Sequence, residues 1–196
     1  MTLANFFTCL RIALIPVFGW LWLVGHHTQA LWIFAIAGLT DLLDGLLARV
    51  LNQRSRLGAI LDPAADKLML TVSFLVAASV GAVPWWLTAI VIGRDVLLSG
   101  GAGLVVLLFG DRVVTARLHP SRIGKYSTFF QLATILVALI ARAADRAGLH
   151  SWVAALVLIA ATFTVSSGLQ YVAATLGLLL RNDRHGRGDL ADGSAS

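Results

Sequence analysis

Long apolar runs separated by short polar connections are the feature that most constrains what this chain can fold into. Each run has close to the roughly twenty residues that an α-helix needs to cross the hydrocarbon core of a bilayer. The runs therefore predict an all-α, polytopic membrane protein built as a six-transmembrane-helix bundle. They fall at about residues 4–24, 30–51, 60–80, 84–109, 126–144 and 152–180.

The composition agrees with a membrane domain. Of the 196 residues, 58% are hydrophobic and 13% are charged, with a mean hydropathy of +0.84. A soluble domain is about half apolar and about a quarter charged. We expect residues 1–182 to form one six-helix membrane domain. The polar segment 183–196 is expected to be a disordered tail.

The basic residues indicate an orientation. The connections at residues 25–29 and 81–83 carry no Lys or Arg, whereas the other loops and the tail are basic. By the positive-inside rule both termini lie in the cytoplasm, and Arg142 and Arg146 are exceptions. The net charge of +5 therefore predicts contact with membrane lipids and no nucleic acid. The basic residues on the cytoplasmic side are Arg54, Arg56, Arg112, Arg117, Arg122, Lys125, Arg181, Arg184 and Arg187.

The protein is thus expected to be integral to the cytoplasmic (inner) membrane of a bacterium. Its active site is expected to face the cytoplasm. The six Trp are expected to lie at the membrane interfaces, where their amphipathic rings anchor helix ends.

Four aspartates are placed where a bilayer penalises charge. Asp41 and Asp44 lie near the end of the second run, and Asp62 and Asp66 near the start of the third. Helical spacing puts each pair on one face of its helix. An Asp at the centre of a membrane helix costs about 2.5–3.5 kcal/mol on insertion scales. Four such residues therefore require compensation.

Divalent cations would supply that compensation, because all-oxygen ligands suit Mg²⁺ and Mn²⁺. The small residues Gly45, Ala48 and Gly58 on the same faces leave room for a ligand. A structural interpretation competes with this one. Asp62 followed by a proline is typical of a helix N-cap. Arg49 and Lys67 could also pair with Asp44 and Asp62.

These residues resemble the signature of the CDP-alcohol phosphatidyltransferase family, D-x2-D-G-x2-A-R-x8-G-x3-D-x3-D. The family has six helices, so the resemblance covers nearly the whole chain. Each fixed position is occupied, by Asp41, Asp44, Gly45, Ala48, Arg49, Gly58, Asp62 and Asp66.

The resemblance implies transfer of a phosphatidyl group from CDP-diacylglycerol to an alcohol, with release of CMP. It implies that the four aspartates bind two ions of Mg²⁺ or Mn²⁺ and that Asp66 is also the catalytic base. It further implies that family members form homodimers. The residues that the resemblance assigns to the donor are Asn5, Thr8, Gly45, Ala48, Arg49 and Gly58.

The acceptor is less constrained. The opening N-x2-T-x2-R from Asn5 to Arg11 is similar to both phosphatidylglycerophosphate synthases and cardiolipin synthases. The segments 34–45, 94–96 and 115–121 resemble the CMP-forming cardiolipin synthases. We therefore expect phosphatidylglycerol as acceptor and cardiolipin as product, with glycerol 3-phosphate as the alternative acceptor. The candidate acceptor-binding residues are Arg94, Arg117, Arg122 and Lys125.

Two alternatives to this assignment remain at the level of the sequence. Arg94 and Asp95 could form a self-contained pair that braces their helix. The whole protein could also be a divalent cation transporter that uses the aspartates as its ion site. Such a transporter would not require Gly45, Ala48 and Gly58 at their spacings.

Overall fold

The computed structural model describes the backbone of residues 3–50, 56–109, 122–145 and 148–192. Side chains are described for residues 8–40, 61–101, 122–145 and 148–177. Within these ranges the chain is entirely helical apart from short turns. The six helices are α1 (Leu3–Leu23), α2 (His27–Val50), α3 (Arg56–Ser79), α4 (Trp85–Phe109), α5 (Arg122–Ala143) and α6 (Leu149–Asp192).

The third helix begins earlier than the sequence suggested. It starts at Arg56, so Asp62 lies inside the helix and is not its N-cap. Pro63 is also internal, which removes one backbone hydrogen bond at that turn. A helix that already contains Asp62 needs no capping carboxylate there, so the structural interpretation of Asp62 was wrong. The helix α6 runs past residue 182 to Asp192, and disorder of segment 183–196 stays a prediction.

The first helix packs between the two helices that carry the aspartates. It contacts both α2 and α3. Phe18 and Trp22 of α1 are fully buried, and the Phe18 ring lies 5.6 Å from the Phe34 ring of α2. Because Trp22 is fully buried in this core, it is not the interface anchor that the sequence predicted. The aromatic contacts fix α1 as the central element beside the site.

The remaining tryptophans lie near one end of the bundle, which we call the aromatic end. It contains the α1–α2, α3–α4 and α5–α6 connections. Short connections of this kind join antiparallel neighbours. A band of exposed Trp is typical of a membrane interface. The exposed tryptophans are Trp20, Trp32, Trp85, Trp86 and Trp152.

Arg142, one of the two exceptions to the charge rule, has a structural role at the aromatic end. It belongs to the last turn of α5. Its Nη2 donates a hydrogen bond to the backbone oxygen of Val80, at 2.8 Å, just after α3. The last carbonyls of a helix lack partners within the helix, and basic side chains commonly bind them. Arg142 therefore ties the end of α5 to the end of α3.

The exterior is apolar over much of the bundle. Large exposed side chains include Val96, Phe129, Leu158 and Leu169. Among the described residues, 122–143 and 149–177 are long and apolar enough to cross a membrane. A surface of this kind suits lipid contact, since a soluble monomer rarely exposes so much apolar area. The fold is thus all-helical, with at least two membrane-capable helices in the described part.

Candidate active site

Two side chains of α1 bind the two aspartates of α3. The hydroxyl of Thr8 donates a hydrogen bond to Oδ1 of Asp62 at 2.5 Å. The guanidinium of Arg11 donates from Nη1 to Oδ1 of Asp66 at 2.6 Å. Thr8 and Arg11 are one helical turn apart, as are Asp62 and Asp66, so the two pairs form along one line of contact between α1 and α3.

The two residues that donate these hydrogen bonds are buried, and the carboxylates that accept them are more exposed. Thr8 is 0% exposed and Arg11 is 2% exposed. The side chain of Asp66, by contrast, is 53% exposed. Thr8 and Arg11 are held in place because they are packed between helices. The carboxylates that they bind can then present their other side to a ligand. This arrangement orients a pair of carboxylates before anything binds.

Lys67 connects α3, which carries Asp62 and Asp66, to α4. Its Nζ donates a hydrogen bond to the Ser99 hydroxyl of α4, and both residues are exposed. The sequence had left an ion pair between Lys67 and Asp62 as an alternative, and within the described part of the chain this pair does not form. The two side chains are five positions apart on α3, which places them on opposite sides of the helix.

Arg94 forms the ion pair that the sequence left as an alternative. Its Nη1 lies 2.7 Å from Oδ1 of Asp95, and its Nη2 donates to the Ser167 hydroxyl of α6 at 3.1 Å. Both ionic side chains are 12% exposed. The Asp95 carboxylate therefore lies close enough to Arg94 to compensate its charge.

A third polar contact joins α5 to α6. Gln131 Nε2 donates to Thr164 Oγ1 at 2.9 Å and to Ser127 Oγ at 3.2 Å. The Ser127 and Thr164 hydroxyls are 3.0 Å apart. All three residues are buried. Interhelical hydrogen bonds of this kind hold membrane helices together, because lipid offers them no alternative partner.

These contacts form a polar belt through five of the six helices. It links α1 to α3, α3 to α4, α4 to α6 and, through a separate cluster, α6 to α5. The belt fixes the carboxylates of α3 relative to the rest of the bundle. Its members are Thr8, Arg11, Asp62, Asp66, Lys67, Arg94, Asp95, Ser99, Ser127, Gln131, Thr164 and Ser167.

Several site residues expected from the sequence fall outside the described side chains. Their backbone belongs to α1, α2 or α3, but their contacts are not described; they are Asn5, Asp41, Asp44, Gly45, Ala48, Arg49 and Gly58. Arg117 lies outside the described residues altogether. Arg122 and Lys125 lie in the first turn of α5 and are exposed.

The described carboxylates fit a divalent metal by the chemistry of their donors. Asp62 and Asp66 supply oxygen ligands on one face of α3, and hard cations prefer such ligands. Among the described residues, Thr8 is the hydrogen-bond partner of Asp62, which leaves its Oδ2 for a further ligand. Within the same residues no group of three or more His, Cys, Asp or Glu converges. A complete site would therefore need ligands from positions outside them, as the signature provides.

The partners of the carboxylates were not identified from sequence. Thr8 had been assigned to the donor, and Arg11 had been noted only as part of the N-terminal motif. Both pairs are separated by about one helical turn, three residues in α1 and four in α3. This was a usable signal, because pairs one turn apart on two helices permit two contacts at once. The Lys67–Ser99 contact had no such signal, since serine is common in helices of every kind.

Comparison with known proteins extends the resemblance. A sequence model of the CDP-alcohol phosphatidyltransferase family matches residues 1–166. The human "Cardiolipin synthase (CMP-forming)" is 38% identical over 152 residues, covering 71% of this chain and 50% of that protein. The "Probable cardiolipin synthase (CMP-forming)" of Drosophila melanogaster is also 38% identical over 152 residues, covering 71% of this chain and 47% of that protein.

A bacterial relative is covered more completely. The "Probable phosphatidylglycerophosphate synthase" of Mycobacterium tuberculosis is 36% identical over 183 residues, which cover 89% of this chain and 81% of that protein. The chain spans about half the length of the two animal proteins. The similarity therefore includes proteins named as cardiolipin synthases and a protein named as a phosphatidylglycerophosphate synthase.

Proposed function

Because this chain belongs to the CDP-alcohol phosphatidyltransferase family, we propose that it transfers the phosphatidyl group of CDP-diacylglycerol to a lipid alcohol. The proposed acceptor is phosphatidylglycerol, and the products are cardiolipin and CMP. The observation that carries this proposal is the pair of α3 carboxylates held from α1. They occupy signature positions, and buried donors hold both of them.

The metal site in this proposal is formed by Asp41, Asp44, Asp62 and Asp66. The described buried residues of α2 are Ala30, Phe34, Ala37 and Thr40, and helical periodicity extends that face to positions 41, 44 and 48. This register supports a placement of the α2 aspartates toward the α3 pair. When bound, two ions of Mg²⁺ or Mn²⁺ would neutralise the donor diphosphate and stabilise the leaving CMP.

In the proposed reaction the acceptor hydroxyl attacks the phosphorus of the phosphatidyl group. A new oxygen–phosphorus bond forms, and the bond from that phosphorus to the bridging oxygen breaks. The electron pair leaves with CMP, and the proton of the hydroxyl passes to the Asp66 carboxylate. An alcohol is a poor nucleophile while it keeps its proton, so a positioned base contributes to the rate. The contact from Arg11 holds Asp66 in place for this step.

The donor is proposed to lie beside Gly45, Ala48 and Gly58, where the absence of bulk permits a close approach to the backbone. Asn5 and Arg49 would contact the donor as the signature implies. Thr8 is bound to Asp62, so we propose that any effect of Thr8 on the donor acts through that carboxylate.

Arg117, Arg122 and Lys125 are proposed to attract the acceptor to the cytoplasmic surface. Arg122 and Lys125 are exposed in the first turn of α5, which suits contact with anionic headgroups. Arg94 is proposed to brace α4 against α6, since Asp95 already compensates its charge.

The membrane arrangement is part of the proposal. We propose that all six helices cross the bilayer, with both termini and the active site on the cytoplasmic side of a bacterial inner membrane. The exposed tryptophans at the aromatic end support this, because they are typical of the opposite interface. A homodimer is proposed from family membership.

Glycerol 3-phosphate is the second candidate acceptor. It is favoured by the greater coverage of the mycobacterial relative, which is named a probable phosphatidylglycerophosphate synthase. The decisive assay measures CMP release by the purified protein in mixed micelles containing CDP-diacylglycerol and Mn²⁺. One reaction contains phosphatidylglycerol and the other contains glycerol 3-phosphate.

CMP release with phosphatidylglycerol alone supports cardiolipin synthesis. Release with glycerol 3-phosphate alone contradicts it and supports the second candidate. No release with either acceptor, from folded protein, contradicts both assignments. Asp62→Asn should abolish release while the protein still inserts, because the amide retains the shape of the side chain and loses its charge.

A further inference from the structure

Lys67 is an exposed cation beside the candidate base. It follows Asp66 directly in α3, so their Cα atoms lie about 3.8 Å apart. Its Nζ donates a hydrogen bond to the hydroxyl of Ser99 on α4. Among the described residues no carboxylate forms an ion pair with Lys67. The neutral Ser99 hydroxyl therefore positions the Lys67 ammonium but does not compensate its charge.

The surroundings of Lys67 on α3 and α4 are apolar. Leu68, Val96 and Leu97 are exposed apolar side chains close to it along α3 and α4. A lysine among such side chains can extend to the membrane interface with its ammonium in water. Here the ammonium of Lys67, the residue that follows Asp66, is instead bound to Ser99 on the neighbouring helix.

The other described cations of the polar belt differ from Lys67 in this respect. Arg11 is paired with Asp66, and Arg94 is paired with Asp95. A cation that already has a carboxylate partner gains less from a phosphate, because the anion must compete with that partner. Within the described belt, Lys67 is the cation that can accept an anionic ligand without breaking an ion pair.

Both candidate acceptors carry such an anion at a suitable place. In phosphatidylglycerol and in glycerol 3-phosphate, three glycerol carbons separate a phosphate from the primary hydroxyl that reacts. On the basis of the proposed function, we propose that Lys67, anchored by Ser99, binds the acceptor phosphate and thereby directs the reacting hydroxyl toward Asp66.

Lys67 is then a specificity residue for acceptors that contain a phosphate. The nucleotide donor is recognised elsewhere, at the small residues of the signature, so loss of Lys67 should affect the two substrates differently. A charge-assisted hydrogen bond contributes about 1.5–3 kcal/mol, which corresponds to about a ten- to hundredfold change in KM. The neutral Ser99 hydroxyl contributes less.

The experiment measures KM for acceptor and donor in the wild-type protein, Lys67→Met, Lys67→Arg and Ser99→Ala. Each of phosphatidylglycerol and glycerol 3-phosphate is used as acceptor, and the one that reacts identifies the source of the phosphate. We expect Lys67→Met to raise the acceptor KM at least tenfold and to leave the donor KM within twofold. Lys67→Arg should recover most of the affinity, and Ser99→Ala should raise the acceptor KM a few-fold.

An unchanged acceptor KM in Lys67→Met overturns the inference, and so does an equal rise in both KM values. If Lys67→Met does not fold, Ser99→Ala and Lys67→Arg decide the matter by the same two constants. Failure of the proposed function gives a different result, because the wild-type protein would then release no CMP with either acceptor. Thr162→Ala, which removes an exposed hydroxyl bonded within its own helix, is the matched control for Ser99→Ala.

Discussion

The guanidinium of Arg11, buried in the first helix, binds the half-exposed carboxylate of Asp66 in the third helix at 2.6 Å. The two residues are 55 positions apart in the chain. The contact gives α1 a direct part in the site, although the family signature lies wholly on α2, α3 and the connection between them. A residue outside the signature thus orients the candidate base.

Arg11→Met should lower the rate of CMP release by about ten- to a hundredfold. The physical reason is the loss of a charge-assisted hydrogen bond worth about 1.5–3 kcal/mol, which leaves Asp66 poorly oriented. Arg11→Lys should retain part of the rate, because lysine keeps the charge and loses the planar fork. Steady-state kinetics at saturating donor and acceptor measure both variants. Arg142→Met, which removes an arginine at the aromatic end, is the control, and an equal loss of rate there would contradict the prediction.

Thr8→Val should weaken metal binding and leave the fold in place. Valine has nearly the shape of threonine but cannot donate to Asp62, so one ligand loses its orientation. Loss of such an orienting group typically costs about 10–100-fold in metal affinity. Binding of Mn²⁺ to protein without substrate, followed by electron paramagnetic resonance of the free ion, measures this directly.

Thr8→Ser should bind Mn²⁺ as the wild-type protein does, because the hydroxyl is retained. Thr88→Val is the matched control, since Thr88 is also a buried threonine but bonds the backbone of Phe74. Thr88→Val should alter stability alone. Unchanged Mn²⁺ affinity in Thr8→Val would refute an orienting role.

Gly101→Ala should destabilise the protein by about 1–3 kcal/mol, the usual cost of overpacking. A Cβ at this position would lie 2.9 Å from Cε1 and 3.0 Å from the hydroxyl oxygen of Tyr171, so the Tyr171 ring would have to leave its present position against α4. Gly100→Ala is the control, because a Cβ there meets no atom within 4 Å. It should be neutral or slightly stabilising, since alanine favours a helix. Thermal unfolding in detergent compares the two, and equal stability would contradict the packing argument.

Because of His27, we expect the folded protein to become less stable as the pH falls below 6.5. Burial, then the charge of Arg142, then His26 lower the pKa of His27 below its usual 6.5. The unfolded chain therefore binds the proton more readily than the folded protein does. Stability should be highest above pH 6.5 and should fall as the pH drops from there toward the lower folded pKa.

Unfolding temperatures measured across this pH range test the effect. His27→Gln should reduce the slope, because the side chain no longer titrates. A protein that gains stability as the pH falls below 6.5 would show that the sign is wrong.

The sequence determined the helical class and the chemistry of the site. Apolar runs of bilayer length have few alternatives to helices, because backbone polar groups in lipid must be paired within the segment. The signature from Asp41 to Asp66 was by itself enough to identify the family, since its fixed positions match at fixed spacing. Periodicity also placed Asp62 and Asp66 on one face of their helix.

The tertiary structure decided which side chains meet across helices. Local spacing could not show that Thr8 and Arg11 bind Asp62 and Asp66, because those contacts depend on how α1 packs against α3. The N-cap interpretation of Asp62 failed for a related reason. The helix α3 begins at Arg56, so Asp62 lies inside it and not at its start.

The pairing of Arg94 and the burial of Trp22 were also decided by the tertiary structure. The sequence left Arg94 either paired or available to the acceptor, and the structure shows its pair with Asp95. Trp22 resembles the other tryptophans in sequence, but its position beside Phe18 and Phe34 makes it part of the core. Composition and period are properties of one segment, whereas burial and charge compensation depend on neighbours that only the folded chain brings together.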